Sequence, residues 1–281
     1  MVDVIVHLLH TLATDHSLNL SRPVTHRRLV MQLRSFVFAL AFLASGSLFA
    51  SVTEEETFSY NLNDGGRFSI CNVNGSIVIT GGTGDNVEII ATKKADTQKE
   101  LDNIEIEISA SADEIIVETE LGDSNKWYSR NSNSGSVNYE IIVPVNTVLD
   151  SVETVNGGVN ISGVSGKVVA ESVNGGVDVS DLDGDASLST VNGSIEAKFS
   201  RLEGSQRVKA ETVNGRVTIK LPENADVEVS ADTLNGSING SAFGLKTDKG
   251  FVGSDLNGKI GNGSARLNID TVNGSIRIHS N

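Results

Sequence analysis

Carboxylates are the groups in this sequence with the most evident chemical potential. Asp181, Asp183 and Asp185 alternate through one short turn around Gly184. Oxygen ligands at that density are what calcium takes, so the three aspartates are the metal candidates. Their spacing is not that of an EF-hand, and the equivalent turns elsewhere carry other residues. Glu153, Glu171, Glu196, Glu211 and Glu228 form a second acidic set. Two carboxylates facing each other across a groove would be the apparatus of glycoside hydrolysis. These glutamates occupy alternating positions that point to solvent along a strand, so they read as a solvated face. Trp127 and Tyr128, set in an Asn/Ser-rich loop, are the aromatic candidates for gripping a sugar ring or a protein partner. Cys71 is the only cysteine and falls in an alternating strand pattern, where a small buried side chain is expected. After residue 50 the only histidine is His279, which leaves no His-based triad and no histidine metal cluster. No catalytic residue and no cofactor is assigned.

The charge balance narrows the partners. Of 22 basic and 36 acidic residues, four basic and two acidic ones lie in the first fifty. The remainder carries 18 against 34, a net of −16. Such a surface repels phosphate backbones and anionic lipid. Nucleic acid is therefore excluded as a partner, whereas divalent cations or basic partners are compatible. Residues 31–50 read as a signal peptide: Arg34, an apolar run from Phe36 to Leu43, then small residues ending at Ala50. Residues 1–30 hold His7, His10, His16 and His26 ahead of a second methionine, and read as an upstream extension rather than a metal tract. Export to the periplasm, cell surface or medium follows from this reading.

The elements that must position these groups come from a repeat. An apolar residue followed by Asn-Gly occurs eight times, at Asn74, Asn156, Asn174, Asn192, Asn214, Asn235, Asn257 and Asn273. From Asn156 onward the spacings are 18, 18, 22, 21, 22 and 16 residues. Each Asn-Gly is followed by a short alternating strand, such as Val177 and Val179, then a polar turn, then a second strand such as Ala186, Leu188 and Thr190. Period-two alternation rich in β-branched residues is the strand signal. Asn-Gly between two strands is also a strong hairpin signal, so an antiparallel hairpin array or a β-sandwich is the rival architecture. The solenoid is preferred because an apolar residue precedes every asparagine. A hairpin with one wet face has no use for it, whereas a corner can turn both Thr271 and Val272 inward. Stacked corners would align the asparagines, whose side chains can hydrogen-bond along the stack, with glycine supplying positive φ. The expected fold is all-β, a solenoid of about 18–22 residues per rung over residues 151–281.

Residues 51–150 form a different region, with strand-like runs at 87–91, 104–108, 115–118 and 137–143 and one early corner at Asn74. It is expected to cap the solenoid at its N-terminal end. Around Asn257 the pattern loosens: glycines crowd it, and Asp255 stands where other corners have Thr or Ser. The segment Thr271–Ile278 is one more rung with no cap after it, an open edge through which the protein would self-associate.

The run Tyr139-Glu140-Ile141-Ile142-Val143-Pro144, the stretch from Leu149 to Thr154-Val155-Asn156-Gly157 and the array of Thr-Val-Asn-Gly units resemble the DUF4097 adhesin-like family. The resemblance spans most of residues 60–281 and implies an exported, envelope-facing β-helical protein. It supplies no catalytic residues. The functional expectation is a non-catalytic binding or structural protein of the cell envelope. The alternatives are a polysaccharide-acting β-helix enzyme and a self-associating surface scaffold.

Overall fold

β-Branched residues at every second position make strands, and the Asn-Gly pairs bend each strand into its successor. The structure, a computed structural model, describes residues 51–122, 135–250 and 253–281. The signal-peptide segment, the upstream extension and Trp127 and Tyr128 all lie outside the described residues. The described chain opens on β1 (Val52–Asn61), then β2 (Arg67–Asn74) and β3 (Ile77–Gly82) about the Asn74 corner. Next come β4 (Asn86–Ala95), a single helical turn α1 (Gln98–Leu101), β5 (Ile104–Ala110), β6 (Glu114–Leu121) and β7 (Ser136–Pro144). Regular rungs follow as β8 (Val148–Asn156) with β9 (Val159–Ser162), β10 (Val168–Ser172) with β11 (Val177–Leu182), and β12 (Ala186–Asn192) with β13 (Ile195–Phe199). The array continues with β14 (Arg207–Asn214) and β15 (Val217–Leu221), then β16 (Val227–Asn235) and β17 (Ile238–Asn239). After a 3₁₀ turn at Ser241–Phe243 come β18 (Asp248–Lys249), β19 (Ser254–Ile260), β20 (Ala265–Asn273) and β21 (Ile276–Ser280).

The described strands form a ten-stranded sheet ordered β1-β4-β7-β3-β9-β11-β13-β15-β21-β17 and an eleven-stranded sheet ordered β18-β19-β16-β20-β14-β12-β10-β8-β2-β6-β5. The two strands flanking a solenoid corner lie in different sheets and pair in parallel with neighbouring rungs. This is a β-solenoid, and the hairpin array is excluded. Antiparallel pairs are confined to the ends: β1 on β4, β4 on β7 and β5 on β6 at one end, β19 on β16 and β18 on β19 at the other. The core is the seam between the sheets, where Ile79, Ile161, Val179, Ala197 and Ile219 meet Ile70, Val152, Ala170, Leu188 and Ala210.

The corners build two stacked ladders. The side-chain amide of each corner asparagine after Asn74 donates to the asparagine of the adjacent rung, as Asn156 to Asn74 at 2.8 Å, Asn174 to Asn156 at 2.9 Å and Asn192 to Asn174 at 3.0 Å, and that of Asn74 donates to the Gly135 carbonyl at 3.1 Å. Two residues before each asparagine, a buried hydroxyl donates to a glycine carbonyl of the neighbouring rung, as Ser172 to Gly157 at 2.9 Å and Thr190 to Gly175 at 2.8 Å. In the first corner Asn72 takes that place, and its buried amide donates to the Val137 carbonyl at 2.8 Å.

Several details differ from the sequence-based expectation. Among the corner glycines only Gly75 has positive φ. The others are required by proximity instead: a Cβ at Gly157 would stand 1.9 Å from the Gly75 carbonyl oxygen, and one at Gly193 would stand 1.9 Å from that of Gly175. At the corners the valines before the asparagines, from Val155 to Val272, are half-buried and Leu234 is exposed, rather than turned fully inward, so the hydroxyl alone enters the core. Cys71 is exposed, on an outward position of β2.

The stacking order departs from the chain order. Asn214 is followed in the ladder by Asn273 and then by Asn235, both links at 2.9 Å. β20 lies between β14 and β16, and β21 between β15 and β17. The last rung is thus interior, which removes the open edge expected at Thr271–Ile278. Asn257, the seventh motif, is no corner: β19 runs antiparallel to β16, and Asn257 lies opposite Ser230. The reason is Asp255. At a corner this position faces inward and must donate a hydrogen bond, which an ionised carboxylate cannot do.

Candidate functional site

Because the rungs stack in register, outward side chains at one corner-relative position form rows about 4.8 Å apart. The residue three places before the corner asparagine gives the longest row, on the eleven-stranded sheet. It reads Cys71, Glu153, Glu171, Ser189, Glu211, Asp270 and Asp232 across paired strands. The end strands extend it with Glu118 and Glu107 on one side and Asp255 and Asp248 on the other. Like charges at strand spacing repel one another, and the far end shows it. Burial, then Glu211 and Asp232, push the Asp270 carboxyl above its ordinary value. Burial and Asp255 do the same to Asp232. Lys209 relieves Glu211 at 2.8 Å. Three of the five glutamates singled out by alternation, Glu153, Glu171 and Glu211, belong to this row. Glu228 lies elsewhere, 3.9 Å from Lys259.

The ten-stranded sheet carries the more differentiated surface. Four residues after the corner asparagine come Val78, Asn160, Asp178, Glu196 and Thr218, neighbours in register. The row beside it holds Thr80, Ser162, Ser180, Lys198 and Lys220. All of them but Thr80 and Thr218 line a shallow depression of about 380 Å³. The Lys220 ammonium spans the rows to Glu196 at 2.6 Å. Asp178, partly buried and beside Glu196, has its carboxyl raised above the ordinary range, first by desolvation and then by that neighbour's charge. The depression thus offers a fixed array: an amide, two hydroxyls, a lysine-anchored carboxylate, a carboxyl that holds its proton longer, and two ammonium groups. Such a set can donate to and accept from the hydroxyls and amides of an extended ligand. A neighbouring pair of carboxyls in different electrostatic states is also the starting condition for acid–base chemistry.

Of the site residues expected from sequence, only Glu196 enters this depression. Asp181, Asp183 and Asp185 do not converge on one point. Arg201 grips Asp183 through two bonds of 2.9 and 3.1 Å, Lys198 lies 4.0 Å from Asp181, and Asp185 accepts the Arg207 backbone amide at 2.9 Å. Their oxygens brace the turn against the next rung, with Asp181 in the left-handed region at φ 54. Among the described residues no group of three or more His, Cys, Asp or Glu side chains could hold a metal ion. Asp178, Lys198 and Lys220 were missed by sequence reasoning. The signal was available: aligning the rungs on Asn-Gly puts Asn160, Asp178, Glu196 and Thr218 in one column.

Comparison with known proteins identifies the family. No curated protein matches the chain. Among solved structures, a candidate cell adhesion protein from Clostridium sporogenes is 15% identical, with 82% of this chain and 100% of that chain covered and a TM-score of 0.47. A candidate adhesin from Bacteroides fragilis is 12% identical, covering 80% of this chain and 97% of that one, with a TM-score of 0.40. The family model described as Toastrack DUF4097 matches residues 54–279, nearly the whole described region. The chain therefore belongs to the Toastrack DUF4097 family.

Proposed function

We propose that this is an exported, adhesin-like binding protein of the cell envelope, non-catalytic, whose depression on the ten-stranded sheet holds an extended glycan. The observation that carries the reading is the pair of in-register rows, Asn160–Asp178–Glu196 beside Ser162–Ser180–Lys198, on a face fixed by the ladders beneath it. A preorganised face loses little entropy on binding a repetitive ligand, and a polymer with its own period can meet several rungs at once. Retention on immobilised envelope polysaccharide is the test. The purified protein is expected to be retained, and the double variant Asp178→Asn, Lys220→Ala to bind at least tenfold more weakly. Failure of the wild type to bind, or equal binding by the variant, sinks the proposal.

The Asp178–Glu196 pair favours one second reading, a polysaccharide-acting enzyme in which Asp178 supplies the proton. The same polysaccharides settle it. Release of reducing ends by the wild type, abolished in Asp178→Asn, would replace the binding function with a catalytic one.

A further inference from the structure

The rung formed by β20 and β21 comes last in the sequence yet sits inside the stack. β20 is paired with β14 from Arg266 to Asn273 and with β16 from Ala265 to Asn273. β21 is paired with β15 from Ile276 to Ser280 and with β17 at Ile276 and Arg277. Its inward side chains Leu267, Ile269, Ile276 and Ile278 are buried. Its corner is clipped from both sides: the Thr271 hydroxyl donates to the Gly215 carbonyl at 3.3 Å, and the Thr233 hydroxyl donates to that of Gly274 at 3.0 Å. The Asn281 side-chain amide donates to the Phe199 carbonyl at 2.9 Å.

The rungs on either side are consecutive in the chain, joined by residues 222–226. They stand two strand spacings apart, about 10 Å. The chain therefore lays down a slot before it makes the rung that fills it. That slot has hydrogen-bonding edges in both sheets, an apolar floor and a gap in each ladder, and residues 264–281 match all three. Two features set the insertion apart from the other rungs. The connection into it contains Gly261 and Gly263 at φ +64 and +77, and is tethered by the Asp226 carboxylate, which accepts from the Gly263 amide at 2.6 Å and the Ser264 hydroxyl at 2.8 Å. The inserted strand also brings Asp270 between Glu211 and Asp232, three carboxylates in one register row.

We propose that this slot is a docking site for residues 264–281 of a second copy of the chain, so that two molecules exchange inserted rungs and form a dimer. The contacts inside the slot are the same whichever copy supplies the rung, so the balance is set by concentration and by the hinge. Such exchange is a low-cost route to a symmetric dimer. High local density on a surface favours it.

Lys209 and Asn268 face outward at one register position of β14 and β20, and cysteines there report which copy supplies the rung. In the full chain with Cys71→Ser, one preparation carries Lys209→Cys and another Asn268→Cys. The two are mixed, reduced, held in mild denaturant at high concentration and pH 7.5, returned to buffer and oxidised. Non-reducing electrophoresis is expected to show a covalent dimer at least fivefold more abundant than from either preparation alone, rising with concentration during incubation. A dimer no more abundant in the mixture than in the separate preparations overturns the proposal. So does a chain carrying both cysteines that yields only internally linked monomer at every concentration.

Discussion

At the residue scale, the same amino acid serves two physical purposes. Gly193 is needed because its neighbour's carbonyl occupies the space a methyl would take, 1.9 Å from the Cβ position. Gly204 has nothing within 4 Å of that position but has φ +68. Gly193→Ala must push two rungs apart and is expected to lower stability by about 3 kcal/mol, the upper end for overpacking. Gly204→Ala is expected to cost about 1 kcal/mol, the backbone penalty alone. Denaturant unfolding of both variants compares the two costs. A carboxyl supplies the second expectation. Asp270 has a folded-state pKa above its ordinary 3.8 because of burial and then Glu211 and Asp232. Over the window from that ordinary value up to the raised one, the folded state binds more protons than the unfolded state. Stability contributed by this group is therefore greatest in acid and falls as pH rises through the window. Asp270→Asn removes the repulsion, so the variant is expected to melt above the wild type at pH 7 and level with it at pH 3.

At the element scale, rungs are held together by hydroxyls that cross between them, and the N-terminal end of the stack uses the same device. Tyr139 on β7 is fully buried, and its hydroxyl lies 2.7 Å from that of Thr119 on β6. This bond spans the two sheets at the outermost parallel rung. Burial pushes the phenol up to about 12, so it stays neutral across the working range of the protein. Tyr139→Phe keeps the ring and strands the Thr119 hydroxyl. The expected cost is about 1.5 kcal/mol, read as a lower denaturation midpoint with unchanged m-value. Nearby, Lys93 and Glu56 pair across β4 and β1, joining these two antiparallel strands. α1 closes the loop between β4 and β5 with a capping box, in which Thr97 and Glu100 satisfy each other's backbone amides, and it seats Leu101 in the core.

At the scale of the whole molecule, insertion of the last rung makes a late segment as central as any other. Ile278 is 1% exposed. Ile278→Asp places an unpaired charge in the seam and is expected to cost about 4 kcal/mol at pH 7. In the native protein the amides of β20 and β21 should exchange with solvent as slowly as those of β14 and β15. Fast exchange through residues 265–280 would show that this rung frays independently.

The repeat made much of this protein legible. Alternation named the inward side chains, the Asn-Gly pairs named seven true corners, and the Thr or Ser two residues before six of the corner asparagines turns inward, as the corner reading of Thr271 requires. All are local features repeated rung by rung, so each is specified wherever it recurs. Asp255 already marked the motif that would fail, since a carboxylate cannot make the donation a corner needs. Tertiary structure alone decided the order of the rungs. Near-identical rungs stack on one another with near-identical contacts, so the motif cannot say that Asn273 stands between Asn214 and Asn235. That choice rests on the connection through residues 222–226 and on β19 turning back antiparallel. The rows of acids and the Asp178 depression follow from the stack in turn, because their members meet only once the rungs are in register.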